Sequence, residues 1–98
     1  MEVRFRNRQL QRCFEREALA IRRWGPDVGP RYVERVNFML GLEVWDDLFR
    51  FQFLGFHPLH HDREGQYAAK LTGRWRLIVE AGDDERTLWV VGVEDYHG

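Results

Sequence analysis

The sequence predicts an α+β domain in which two N-terminal helices pack on one face of a small twisted antiparallel sheet. Up to about residue 40, apolar residues recur at three- and four-residue steps, as they do on the buried side of an amphipathic helix. From residue 51 onward they form short strand-like runs between turn residues. With 98 residues and 44% hydrophobic content, the chain fits one domain, residues 1–98, with one core.

The sheet is organised around a hairpin that turns at Gly73. Two apolar runs, Tyr67–Leu71 and Trp75–Val79, lie on either side of this glycine. A glycine between two strand-like runs indicates a tight turn, because glycine adopts the backbone angles that such turns need. We therefore expect antiparallel strands at Gln66–Thr72 and Arg74–Glu80.

The second strand of this hairpin has an apolar side and a basic side. Alternation along the strand turns Trp75 and Leu77 toward the helices. The other side carries Arg76, which needs either a bound anion or an ion pair, because an unpaired guanidinium at a sheet surface loses hydration. Carboxylates that could form such an ion pair are Asp62, Glu64 and Glu80. The residues alone leave both interpretations open.

Local signals place the other elements. The alternation of Glu2–Arg6 predicts a first strand, and Asn7 can cap the helix that follows. The Gly-Pro pair at positions 25–26 predicts the end of this helix, and the pair at 29–30 opens or bends a second one. After a break at positions 41–47 and a short apolar helix or turn, further strands are expected at Phe51–Phe56 and Thr87–Glu94. Helices on one face leave the other face free for function.

Composition excludes several classes of protein. No apolar run approaches membrane-spanning length and the first residues are charged, which predicts a cytoplasmic protein without a membrane partner. The one cysteine, Cys13, cannot form an internal disulfide, as expected in a reducing compartment. Its spacing from Leu10 and Phe14 indicates a buried helix position rather than a nucleophile.

The charge is unevenly distributed along the chain. A net charge of −1 argues against a general nucleic-acid binder. Residues 1–36, however, contain nine arginines against five acidic residues, whereas acidic residues are in excess from 37 onward. The basic half could lie on phosphates or on an acidic protein partner, or it could be a solvated pair of helices.

Histidines are concentrated in the segment HPLHHDRE, at His57, His60 and His61, and His97 lies near the C-terminal end of the sequence. One interpretation is a metal site in which His57, His60 and His97 supply nitrogen ligands and Asp62 an oxygen ligand. The spacing matches no strong metal motif, and we therefore predict neither a metal nor a cofactor.

A second interpretation is metal-free cleavage of RNA. Attack by the 2′-hydroxyl needs a base, an acid for the departing 5′-oxygen and a cation for the charged phosphorane. Histidine can serve as base or acid, and the planar fork of Arg76 can hold a phosphate. A third interpretation is that the histidine-rich loop is simply an exposed polar loop.

The segments HPLHHDREGQYAAKLTGRWRLIVE and VEDYH together resemble the HigB-type toxins, or plasmid maintenance killer proteins, of the RelE-like toxin–antitoxin superfamily. The resemblance includes the opening strand VRF, the helix RNRQLQRCFE and the break RWGPDV. It depends most on the motifs HPL-x-x-DR-x-G and G-x-WRL in this order, followed by EDYH.

This resemblance implies the toxin of a type II toxin–antitoxin system. The expected activity is that of a ribosome-dependent mRNA endoribonuclease, which inhibits translation by metal-independent cleavage through attack of the 2′-hydroxyl. The expected partners are the ribosome, mRNA and a HigA-type helix-turn-helix antitoxin, through which the complex would bind operator DNA. The alternative is a catalytically weak RelE-fold protein that acts mainly as a binding or regulatory partner of the antitoxin. The gyrase-poisoning branch of the superfamily fits less well, because it generally lacks the histidine set.

The resemblance also assigns site residues. The catalytic side chains of the family fall on His57, Arg76, Asp95, Tyr96 and His97. We add His60 to the catalytic candidates, because His60 and His61 stand where the family commonly has Lys-Gly. A histidine supplies less positive charge than a lysine at neutral pH. The basic side chains expected to contact RNA are Arg63, Lys70 and Arg74.

Overall fold

A computed structural model describes residues 1–96, in which helices cover one face of a five-stranded sheet. The strands are β1 Glu2–Phe5, β2 His57–Pro58, β3 Gln66–Lys70, β4 Trp75–Ala81 and β5 Thr87–Asp95. The helices are α1 Arg8–Glu15, α2 Glu17–Leu40 and two short 3₁₀ helices, Trp45–Arg50 and Gln52–Leu54. No helix among the described residues is long and apolar enough to cross a membrane.

The strand order is β1-β5-β4-β3-β2, and one of the pairings is parallel. The hairpin predicted around Gly73 is confirmed, with Ala69 opposite Leu77 in an antiparallel register. The expectation of a wholly antiparallel sheet is wrong at one edge, where β1 runs parallel to β5. Most of the chain lies between these two strands, and a parallel pair needs such a long connection.

The N-terminal helices are divided differently from the prediction. Asn7 caps α1 as expected, since its Oδ1 accepts a hydrogen bond from the backbone N–H of Leu10 at 2.9 Å. An unpredicted break follows at Arg16, whose backbone is extended. The predicted break at Gly25 is a sharp kink inside α2, where this residue has a φ of 94° that glycine tolerates. Pro30 lies within the helix and does not end it.

The predicted strand Phe51–Phe56 is wrong. This segment contains the second 3₁₀ helix and reverses at Gly55, which has a left-handed φ of 53°. In a strand, Phe51 and Phe56 would point to opposite faces. In the folded chain both rings lie on the helix side of the sheet, where Phe51 packs edge-on against Phe38 of α2 and Phe56 stacks on Tyr67 of β3.

The main core lies between the helices and the sheet. Leu77 is fully buried there with Val36 and Met39 of α2, and Trp75 packs against the same cluster, as predicted. Cys13 is also buried in this core, and burial raises the pKa of its thiol. A second, smaller apolar cluster lies on the opposite sheet face, which we call the open face. It consists of Leu59, Ala68 and Ile78, with Val91 and Tyr96 packed against them.

Candidate functional site

The open face of the sheet brings several predicted site residues together. Lys70 of β3 and Arg76 of β4 are paired residues and therefore lie side by side on this face. His57 of β2 is paired with Ala68, in the adjacent row of side chains. The loop that follows β2 folds back over this row, because Leu59 packs against Ala68. Residues from three strands thus form one continuous surface.

The imidazole of His57 is held in a defined orientation. Its Nδ1 lies 2.9 Å from the carbonyl oxygen of Gly55, which can only accept a hydrogen bond, so Nδ1 carries the proton. In the neutral ring Nε2 is then unprotonated and can accept a proton. The ring centre lies 6.2 Å from that of Tyr96, and both side chains are half-buried. This arrangement suits a general base beside a phenol.

The guanidinium of Arg76 lies at the hairpin turn. Its Nη1 donates to the carbonyl oxygens of Gly73 at 2.8 Å and of Trp75 at 3.0 Å. Among residues 1–96, no carboxylate forms a salt bridge with it. None of the ion pairs considered between Arg76 and Asp62, Glu64 or Glu80 is formed among the described residues. Glu80 is four residues further along β4, about 13 Å away, and bonds Arg6 and Gln66 instead. The guanidinium retains donors for an anion.

Glu80 belongs to a separate polar network at the other end of the open face. It accepts a hydrogen bond from Arg6, the residue that follows β1, at 2.9 Å and one from Gln66 of β3 at 3.0 Å. The bond from Arg6 joins the end of the first strand to β4, which is 74 residues away in sequence.

Arg63, which was predicted to contact RNA, has protein partners in this structure. Its guanidinium bonds both carboxylate oxygens of Glu94 and also Gln66. The hydrogen bond with Glu94 is the largest reason why the pKa of Arg63 lies above its ordinary value. Sequence reasoning missed Glu94 as a site residue. The available signal was alternation along the last strand, which turns Glu94 to the side opposite Val93, whereas the register that places Glu94 beside Arg76 is known only from the structure.

The two other predicted RNA contacts differ in their surroundings. Lys70 is exposed and forms no salt bridge within the described part of the chain. Its stem runs over Gly55, where a Cβ would lie 2.8 Å from Cε of the lysine. Arg74 is exposed, and its Nε lies 3.5 Å from Oδ1 of Asp95. Asp95 is paired with Trp75, so it turns away from the open face.

His60 and His61 lie exposed in the loop between β2 and β3. His61 has a φ of 65°, the left-handed conformation that glycine adopts most readily. No group of three potential ligands that could hold a metal ion is formed among residues 1–96. The predicted catalytic residue His97 lies outside the described residues.

A basic groove on the other side of the molecule contains none of the predicted site residues. It lies between α1 and the first part of α2 and has a volume of about 580 Å³. Its lining residues are Arg8, Gln9, Arg12, Cys13, Leu19, Arg22 and Arg23. Four arginines around an apolar floor match the basic character that the N-terminal half has in sequence.

The sequence matches no protein-family model and no curated protein. Several solved structures, including the following two, are similar to this one. The first is a YoeB/ParE toxin from Agrobacterium tumefaciens, with a TM-score of 0.59 and 18% identity over 100% of both chains. The second belongs to the toxin–antitoxin complex RelBE2 from Mycobacterium tuberculosis, with a TM-score of 0.53 and 24% identity over 95% of this chain and 94% of that one. The chain therefore has the α+β fold found in these RelE- and YoeB-like toxins.

Proposed function

We propose that this protein is the toxin of a type II toxin–antitoxin system, of the HigB type within the RelE-like superfamily, and that it is a ribosome-dependent mRNA endoribonuclease. The observation that supports this most is the placement of His57, with Nε2 available, on the same sheet face as Arg76 and Tyr96. The likeness in fold to toxins of toxin–antitoxin systems supports the same proposal.

Five of the predicted site residues have a role in the proposed reaction. Nε2 of His57 removes the proton from the 2′-hydroxyl, which then attacks the adjacent phosphate. Arg76 and Lys70 offset the charge of the phosphorane, and Tyr96 positions the nucleotide. We assign protonation of the departing 5′-oxygen to His97. The products are a 2′,3′-cyclic phosphate and a 5′-hydroxyl, and no metal ion takes part.

Cleavage of a message on programmed ribosomes tests this function. We expect cleavage to leave a cyclic phosphate end. It should also persist when EDTA is added below the magnesium concentration, where transition metals are chelated and the ribosome stays intact. His57→Ala should lower the rate by about 10²–10⁴-fold and Arg76→Ala by about 10²–10³-fold. His61→Gln, a change in the exposed loop, is the matched control and should cleave normally. A 5′-phosphate product would contradict the mechanism, because a metal-activated water typically leaves that end.

We further propose a HigA-type helix-turn-helix antitoxin as the partner, through which the complex binds operator DNA. The RelBE2 complex, in which a toxin is held by its antitoxin, supports the presence of such a partner. The groove lined by Arg8, Arg12, Arg22 and Arg23 is complementary in charge to an acidic segment.

Two observations favour the alternative of a catalytically weak RelE-fold protein that acts mainly by binding its antitoxin. Arg63 is occupied by Glu94, and His60 stands where the resembling family commonly has a lysine, so little positive charge is free on the loop. The cleavage assay separates the two proposals. A wild-type chain that forms the antitoxin complex but leaves ribosome-bound mRNA intact would establish the alternative.

A further inference from the structure

Trp89 is the large apolar side chain that the open face exposes to solvent. The residue is 36% exposed, and because an indole is the largest side chain this fraction leaves a broad apolar area in solvent. The other large exposed apolar residues of the described chain lie elsewhere, with Leu40 at the end of α2 and with Phe49 and Phe53 in the 3₁₀ helices. Trp89 therefore lies on the open face without belonging to either core cluster.

A β-bulge turns Trp89 toward the open face. Consecutive residues of β4 pair with Gly92 and with Val90, so that Val91 is an extra residue in β5. Without it, the alternation along β5 would place Val90 on the open face and Trp89 in the core. The bulge thus keeps Val90 fully buried while it presents an indole ring to solvent. Bulges often re-aim a side chain in this way beside functional sites.

The surroundings of Trp89 favour a flat ligand over a phosphate. Arg4 of β1 is paired with Trp89, and its guanidinium carbon lies 6.0 Å from the centre of the indole ring. Arg6 is already bonded to Glu80, which is the cross-strand partner of Trp89 on β4. Arg4 is likewise bonded to Glu2, so each arginine near the ring already has a carboxylate partner and there is no concentrated positive charge. A nucleobase suits this surface, because every base has a face that stacks on an aromatic ring.

The part of the open face between His57 and Trp89 is short. His57 lies on β2 and Trp89 on β5, three strand spacings or about 14 Å apart across the sheet. On β5, in the row of paired residues that also contains Ala68 and Ile78, a Cβ added to Gly92 would meet no atom within 4 Å. A strand of a few nucleotides can span this distance.

We propose that Trp89 is a stacking platform for a base of the bound RNA, a few nucleotides away from the phosphate that His57 and Arg76 act on. This inference rests on the proposed endoribonuclease function and extends its substrate site across the sheet. Arg4 stabilises the stacked ring from β1. The bound chemical group is a single-stranded nucleobase, and its identity need not matter because stacking tolerates all four bases.

An abasic scan tests the platform. A single-stranded RNA with 2′-O-methyl groups throughout cannot be cut, and one base at a time is removed from it. Its affinity is measured by fluorescence anisotropy for the wild type, Trp89→Ala, Trp89→Leu and Trp89→Phe. Phe49→Ala is the matched control, because Phe49 is 51% exposed but lies in a 3₁₀ helix.

We expect removal of one particular base to weaken binding by the wild type by about 5- to 100-fold, and Trp89→Ala to abolish this dependence. Trp89→Leu, which keeps an apolar side chain but no flat ring, should behave like the alanine variant, and Trp89→Phe should retain part of the effect. Phe49→Ala should match the wild type. Unfolding curves of the variants identify any general loss of structure.

Cleavage on programmed ribosomes by the same preparations separates this inference from the function on which it rests. If the wild type cleaves the message and Trp89→Ala binds RNA and cleaves as the wild type does, the stacking platform is overturned. The endoribonuclease function is then retained. If Trp89→Ala changes self-association but not the abasic scan, the stacking platform is also overturned. Trp89 would then form a contact between protein molecules. A wild type that neither binds RNA nor cleaves the message would overturn both.

Discussion

Arg63 and Glu94 form an ion pair with two hydrogen bonds, which ties the loop after β2 to the end of β5. Nη1 donates to Oε1 at 2.8 Å and Nη2 donates to Oε2 at 2.5 Å. Nε of the same guanidinium donates to Oε1 of Gln66 at 2.9 Å. Both edges of the planar fork are thus in use. The geometry favours a role for Arg63 in holding the histidine-rich loop against the open face.

Arg63→Ala and Glu94→Ala should therefore have similar effects. We expect each to lower the free energy of unfolding by up to about 1 kcal/mol, the range for a partly exposed pair, and the double variant to lose no more than either single one. Urea unfolding of the four proteins measures this coupling. The RNA affinity of Glu94→Ala tests the opposite role for Arg63, a direct contact with RNA. If Arg63 contacts RNA directly, Glu94→Ala releases it and binds RNA more tightly than the wild type does.

Gly29 is required where the two arms of α2 meet across the kink. A Cβ at this position would lie 2.6 Å from the backbone nitrogen of Ile21 and 2.7 Å from the carbonyl carbon of Ala20. Since backbone atoms cannot yield as a flexible side chain can, Gly29→Ala should destabilise the protein by about 1–3 kcal/mol. Gly92→Ala is the control, because the added methyl group meets open space. Equal unfolding midpoints for the two variants would contradict this explanation.

Much of the fold could be predicted because its signals are local. Asn7 caps α1 through a bond to a residue three positions away, and Gly73 turns the hairpin between adjacent runs. The side of β4 that carries Leu77 follows from alternation alone. Such features depend on a few neighbouring residues, which the sequence displays directly.

The features that the sequence did not reveal depend on distant residues. Phe51 looks like a strand residue, but it packs on Phe38 of α2, and tertiary packing overrides local propensity. The bulge at Val91 changes which residues of β5 face the core, and the neighbouring Gly92 marks it only weakly, since a glycine inside a strand does not fix which residue is extra. In the candidate site, the side of the sheet was predictable, whereas the pairing of Arg63 with Glu94 across 31 residues was not.

Asp47 makes the first 3₁₀ helix sensitive to acid. Its carboxylate accepts hydrogen bonds from the backbone N–H groups of Val44 at 3.2 Å and Glu43 at 3.1 Å, which hold the pKa of Asp47 below its ordinary value, with the bond from Val44 the larger cause. The ionised form is therefore the stabilising one. Its contribution is complete above the unfolded-state pKa of about 3.9 and is lost as the pH falls through the lower folded-state value.

Asp47→Asn should accordingly be less stable than the wild type at pH 7, and the difference should shrink as the pH falls below about 4. Thermal unfolding of both proteins across this range measures it. The neighbouring Asp46 is exposed and forms no salt bridge within residues 1–96, so Asp46→Asn is the control and should follow the wild type. A constant difference between Asp47→Asn and the wild type at every pH would show that the charge is not responsible.

His61 occupies a backbone conformation that costs free energy. Its φ of 65° brings the Cβ of an L-residue close to its own backbone, and a glycine avoids this contact. His61→Gly should therefore stabilise the fold by about 0.5–1 kcal/mol, after the greater freedom of glycine in the unfolded chain is subtracted. The midpoint of urea unfolding checks this expectation. His60→Gly is the matched control, since His60 has no positive φ, and it should lower stability or leave it unchanged. A gain for both variants would mean that loop flexibility, rather than the left-handed backbone at His61, sets the stability of this segment.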